Sequence, residues 1–182
     1  MARYAVLLRG VNLVRRNRVS MPELRRFLSD EGFADVVTYV QSGNVVLSTD
    51  ASETEVAEQV RALIVRRIGL ELTVIVRAQN ELAEIVARNP IPAAAADPKH
   101  YLVTFLAAPP PPETVEQLRS NAAPHESLAT TGRELYSWHP QGFGRSPLWE
   151  RLAAKRLGIG ATSRNWTTVN ALLAMADGRA DR

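Results

Sequence analysis

The sequence predicts an α+β protein built as two tandem ferredoxin-like (split βαβ) halves with antiparallel sheets, followed by an extra C-terminal helix. Three observations lead there. Short apolar runs of strand length alternate with longer stretches whose apolar residues recur at helical spacing. In the first half their order is strand, helix, strand, strand, helix, strand, the split βαβ plan. The same order returns after residue 99, without evident residue identity.

Taken in order, YAVLLR (4–9) is strand-like. SMPELRRFLSDEG (20–32) is helix-like, with Leu24, Phe27 and Leu28 on one face and Ser20 and Glu23 spaced as a capping box. VVTYVQ and NVVLST are two strands separated by Ser42-Gly43, which reads as a two-residue hairpin turn. ASETEVAEQVRALIVRRIG repeats the capping box at Ser52 and Glu55 and places Val56, Val60, Leu63 and Ile64 on one face. ELTVIVRA is the fourth strand, and QNELAEIVARN a short helix with Leu82, Ile85 and Val86 inward. Glycines at 32, 69 and 158, each followed by a hydrophobe, fit left-handed helix stops.

The Pro and Ala content of NPIPAAAADP marks residues 89–98 as a linker, dividing the chain into halves 1–88 and 99–182. In the second half, HYLVTFLA is a strand and PETVEQLRSN a helix opened by a proline run. ESLATT and ELYSW are strands joined around Gly132-Arg133, LWERLAAKRLG is a helix, and ATSRNW a short last strand. TTVNALLAMAD closes the chain with Val169, Leu172, Leu173 and Ala176 inward.

Composition narrows the chemistry. Cysteine is absent, so no disulfide, thiolate nucleophile or Cys-based zinc site can form, and three scattered histidines (His100, His125, His139) argue against a His-rich metal site. Absence of cysteine fits a reducing cytoplasm. The apolar run after Arg3 is too short for a signal peptide, and no apolar run approaches a membrane span. The formal charge of +3 is segregated. Residues 1–26 hold seven Arg and one Glu; residues 27–132 hold seven basic and fourteen acidic groups; residues 133–182 hold eight basic and four acidic. If the basic ends meet, they form one region attractive to anions; a dispersed, solvated surface is the alternative.

The split βαβ topology gathers polar residues. The loop after the first strand and the first hairpin fall at one end of the first sheet, bringing Arg9, Asn12, Arg15, Arg16, Asn17 and Arg18 toward Gln41, Ser42 and Asn44. In the second half the third and fourth strands finish at one end, bringing Arg145 and Ser146 of QGFGRS toward Arg164, Asn165 and Trp166. Arg offers a planar donor fork to phosphate or carboxylate, Asn and Gln grip amide or base edges, and Trp166 can stack on a ring. Plainer roles fit the same residues: turn chemistry for Ser42-Gly43-Asn44, capping for Asn165, core packing for Trp166.

Taken together, LLRGVN, TYVQSGNVV, VIVR, a downstream NP, GFGRS and ATSRNWTTV resemble the bacterial "domain of unknown function 1697" family, from Tyr4 to about Ala176. The resemblance implies a two-part α+β fold and brings no activity. The chain departs from the family pattern at Val14 and Arg15, where relatives carry a Gly pair, and at Gln141, where an acidic residue is common. Loss of the Gly pair shifts any anion role from a backbone nest to side chains such as Arg16 and Arg18.

The expected function is binding of a phosphate-bearing small molecule or nucleotide in a cleft between the halves. The expected ligand contacts are Arg9, Asn12, Arg16, Gln41, Ser42, Asn44, Arg145, Ser146, Arg164, Asn165 and Trp166. No catalytic residue, metal or cofactor is assigned; no His lies in either cluster, and no Walker, Rossmann or Ser-triad signature is present. RNA binding is the first alternative, with Tyr101, Phe105, Tyr136 and Trp138 as the aromatics of the second sheet. An interaction module using an open sheet face is the other. No membrane role is expected.

Overall fold

The computed structural model describes residues 1–12, 17–153 and 157–179. In chain order the elements are β1 (Ala2–Leu8), α1 (Met21–Asp30), β2 (Ala34–Tyr39), β3 (Asn44–Thr49), α2 (Glu53–Ile68), β4 (Val74–Ala78) and α3 (Gln79–Ala87). There follow β5 (Tyr101–Leu106), α4 (Pro112–Asn121), β6 (Ser127–Thr131), β7 (Glu134–Trp138), α5 (Pro147–Ala153), β8 (Ala161–Asn165) and α6 (Trp166–Ala176). Two four-stranded antiparallel sheets have the orders β2-β3-β1-β4 and β6-β7-β5-β8. This is one split βαβ plan used twice, followed by a C-terminal helix.

The chain forms two compact units, one of Met1–Glu84 with the residues from Ala171 onward and a second of Ile85–Asn170. The boundaries fall inside α3 and α6. The sequence placed the division at residues 89–98, a segment that here holds a 3₁₀ turn at Pro92–Ala96.

In the first unit, Tyr4, Val6 and Leu8 of β1 bury one sheet face against Met21, Leu24 and Leu28 of α1 and Val56, Val60, Leu63 and Ile64 of α2. Full burial of each such side chain contributes roughly 1.5–3 kcal/mol. Helix α2 starts on the complete capping box of Ser52 and Glu55 and stops at Gly69, whose φ of 74° is left-handed. Phe27 of α1 is only partly buried, with the guanidinium groups of Arg26 and Arg67 over its ring at 5.3 and 5.6 Å. The guanidinium of Arg3 donates to the carbonyls of Met175 and Ala176, so the first strand binds the last turn of α6.

The first hairpin differs from expectation. β2 ends at Tyr39, which pairs with Asn44, so the connection is four residues, Val40 to Gly43, and not the two of Ser42-Gly43. The reason is Val40, which takes φ of 49° and leaves the strand early. The second hairpin turns at Gly132-Arg133, between the paired Thr131 and Glu134.

In the second unit, Leu106 and Leu135 pack with Val115 and Leu118 of α4 and Leu148 and Leu152 of α5. All six residues of β5 are buried. Tyr101 lies against Trp166 with ring centroids 5.0 Å apart and against Tyr136 at 6.4 Å. Among the described residues no helix is long and apolar enough to cross a membrane.

Candidate functional site

Part of the first cluster comes together, Asn12 with Gln41 and Asn44 with Ser42, and its amides hold the backbone. Asn12, at φ 55°, donates from Nδ2 to the carbonyls of Val19 (2.9 Å) and Gln41 (2.7 Å) and accepts from the Val19 N–H on Oδ1. One side chain thus ties the opening loop to its own exit and to the hairpin. Asn44 is fully buried and donates to the Tyr39 carbonyl and the Ser42 hydroxyl. Arg9 is half-buried, and Gln41 and Ser42 are exposed. Arg16, like Val14 and Arg15, lies outside the described residues.

The residues expected in the second cluster sit in two places, Arg145 and Ser146 at the turn after β7 and Arg164, Asn165 and Trp166 along and just after β8. Arg164 lies on β8, nearly buried, and donates to the Thr162 hydroxyl (2.7 Å) and the Ser163 carbonyl (2.8 Å). Burial pushes its guanidinium down to about 10, still charged at neutral pH. Asn165 accepts from the Thr168 N–H at 2.9 Å and so caps α6. Trp166 is buried against Tyr101, with its backbone N–H on the Pro98 carbonyl. Arg145 is exposed, and Ser146 is buried beneath it.

Arg77 of β4 mirrors Arg164. Each is the penultimate residue of its unit's fourth strand, each is buried, and each donates to the carbonyl of the residue before it. The repeat therefore extends to a buried arginine in each half, a correspondence that two strands of unlike sequence conceal.

The second unit also holds two histidine–carboxylate pairs that the sequence did not single out. His139, just past β7, brings Nδ1 within 2.7 Å of the Ser146 hydroxyl and 3.2 Å of Glu126, and Nε2 within 2.9 Å of the Ser137 hydroxyl. The network is satisfied when Nδ1 carries the proton and Ser137 donates to Nε2. Glu126 also accepts the backbone N–H groups of Ala123 and Leu148, and Ser146 Oγ accepts that of Trp149. Burial pushes His139 down, outweighing the upward pull of Glu126. Burial raises Glu126, but hydrogen bonds from Ser146, the Ala123 N–H, His139 and the Leu148 N–H together hold it below the usual carboxylate range. These residues hold the turn at Phe143–Arg145, whose Phe143 ring sits 5.3 Å from His139 and 5.1 Å from Trp149.

The other pair is Asp97 and His100. His100 Nδ1 lies 2.9 and 3.1 Å from the two Asp97 oxygens, and the Trp138 indole donates to Asp97 at 3.2 Å. Both residues are about one-third exposed. The Phe143 ring meets the His100 ring edge-on at 5.8 Å.

The aromatics considered for RNA stacking are mostly buried: Tyr101, Phe105 and Tyr136 are at most 1% exposed, and Trp138 is half-buried. Among the described residues the large exposed hydrophobes are Met1, Val37, Val40 and Val65, which form no run in the sequence. Among the described residues no group of three or more His, Cys, Asp and Glu is placed to hold a metal ion.

A family described as "Protein of unknown function (DUF1697)" matches residues 1–136. No curated protein matches the chain. Among solved structures, the conserved bacterial protein SP0830 from Streptococcus pneumoniae is similar, at 20% identity and a TM-score of 0.78, over 96% of this chain and 98% of that one. That likeness supports the shared fold.

Proposed function

The chain belongs to that family of unknown function, and from the second unit's own geometry we propose that it binds a small anionic molecule at the turn carrying Arg145. The observation that carries the reading is the sealed network of Glu126, Ser137, His139 and Ser146 under that turn. Burying a carboxylate and an imidazole costs several kcal/mol of desolvation, and an apolar cluster of similar size would pack as well. What the network adds is a fixed turn. The turn carries the exposed Arg145, and its Gly142 and Phe143 lie against His100 of the half-open Asp97–His100 pair. Phosphate and carboxylate match the planar fork of a guanidinium.

The test is a thermal-shift series with inorganic pyrophosphate, nucleotides, sugar phosphates and a short RNA. A small anion at a hundredfold its dissociation constant adds about 2.7 kcal/mol of stability, and Arg145→Ala removes that gain while leaving the unliganded melting temperature in place. If none of the small anions stabilises the protein, or Arg145→Ala responds like wild type, the reading fails. Stabilisation by RNA alone, with affinity falling steeply as salt rises, would favour the nucleic-acid reading instead.

A further inference from the structure

We propose that Asp97 and His100 form an acid–base site, with His100 as the group that takes a proton from the water attacking a bound phosphate monoester. The second unit contains two histidine–carboxylate pairs, and they differ in one respect. His139 is sealed, with both ring nitrogens engaged inside the protein. His100 has only Nδ1 engaged; among the described residues Nε2 has no hydrogen-bonding partner, and 39% of the side chain is exposed. A carboxylate on Nδ1 fixes the proton there and leaves the Nε2 lone pair to accept another.

The pair is held from several sides. The Trp138 indole fixes one Asp97 oxygen, and the Asp97 carbonyl accepts the backbone N–H groups of His100 and Tyr101 at 3.1 Å each. The His100 carbonyl accepts the His139 N–H at 3.0 Å, which ties the open pair to the sealed one. Gly142 lies opposite Nε2: a Cβ built there would stand 4.0 Å from the nitrogen. That is ordinary van der Waals contact, and the φ of 80° at Gly142 calls for glycine on its own account.

This inference rests on the anion reading for its substrate class, since Arg145 holds the phosphoryl group. His100 Nε2 takes a proton from water as the water oxygen bonds to phosphorus; the bond from phosphorus to the ester oxygen breaks on the opposite side, that oxygen takes a proton from solvent, and the imidazolium returns its own to solvent. One water is added across the ester bond and nothing is oxidised or reduced. Asp97 acts through His100 and is a positioning residue.

Two measurements on the full chain decide it. With diethyl pyrocarbonate, His100 should be carbethoxylated faster than the exposed His125, and Asp97→Asn should slow His100 at least fivefold without changing His125. With 4-nitrophenyl phosphate, His100→Gln should lower kcat about 100-fold, the low end for a lost general base, and Asp97→Asn should lower kcat more than it raises KM. Equal reactivity of the two histidines, turnover no faster than in buffer, or turnover indifferent to His100→Gln overturns the assignment. Arg145→Ala separates the two readings. If it leaves binding of inorganic pyrophosphate intact while His100 remains selectively reactive and catalytic, the Arg145 reading falls and the acid–base pair stands.

Discussion

At the residue scale, the most constrained position is Gly43. Its φ is 73°, and a Cβ there would lie 2.5 Å from Val11 Cγ2 and 2.8 Å from Leu8 Cβ. Two penalties coincide, a left-handed backbone and a collision with strand β1 and the loop after it. Gly43→Ala should cost about 2–5 kcal/mol, read as a lower urea midpoint with an unchanged slope. A loss under about 1 kcal/mol would mean the hairpin relaxes freely. His139 makes a second prediction, through pH. Its imidazole is held below the ordinary 6.5, so the folded state binds fewer protons than the unfolded one. The resulting stability is present above about pH 6.5 and is lost as pH falls through the lowered native value, at up to about 1.4 kcal/mol per pH unit. Glu126, also lowered, adds a second loss that begins below its ordinary 4.5. Urea midpoints between about pH 7.5 and 4 should show the first decline in wild type and lack it in His139→Gln.

At the element scale, helices and strands were legible because each carries its own punctuation. The proline run opens α4 at Pro112, and Gly132-Arg133 closes the second hairpin as read. The first hairpin was misjudged because its turn depends on a residue that propensity assigns to a strand. Val40 is β-branched, 55% exposed and left-handed at φ 49°, a conformation that costs an L-residue roughly 1–2 kcal/mol. Asn tolerates that backbone better and gives up little buried surface here. Val40→Asn should therefore raise stability by about 1 kcal/mol, measurable as a higher melting temperature; a drop would show that the valine side chain contributes packing. The candidate site was half legible. Topology anticipated that Asn12 meets the first hairpin at Gln41, and the Ser-Pro-x-x-Glu run of 146–150 hid in plain view as a helix start. The His139 network was not legible, because its carboxylate comes from residue 126 and its hydroxyls from 137 and 146, a convergence set by tertiary folding. The Asp97–His100 spacing was readable, but it straddled the end of a segment that composition marks as linker.

At the scale of the whole molecule, the duplicated plan explains why the chain needs its last helix. A split βαβ unit ends with its fourth strand, yet both repeats here continue directly from that strand into a further helix, β4 into α3 and β8 into α6. The residues of α6 from Ala171 group with the first unit, where Leu172 and Ala176 are buried and Arg3 donates to the carbonyls of Met175 and Ala176. Asp177 adds a bond to the Gln79 amide at 2.6 Å. A chain stopped after Asn170 would lose these interactions while retaining every residue of the second unit. Removing a buried Leu contributes about 2–5 kcal/mol of destabilisation on its own. Truncation at Asn170 should therefore weaken residues 1–84 selectively. Amide exchange should rise across β1 and β4 of the truncated chain, while β5 and β7 keep their protection. Uniform loss of protection in both sheets, or none in either, would show that the C-terminal segment does not belong energetically to the first unit. The network around His139 supplies an internal control, because its residues all lie between 123 and 149 and should survive the truncation intact.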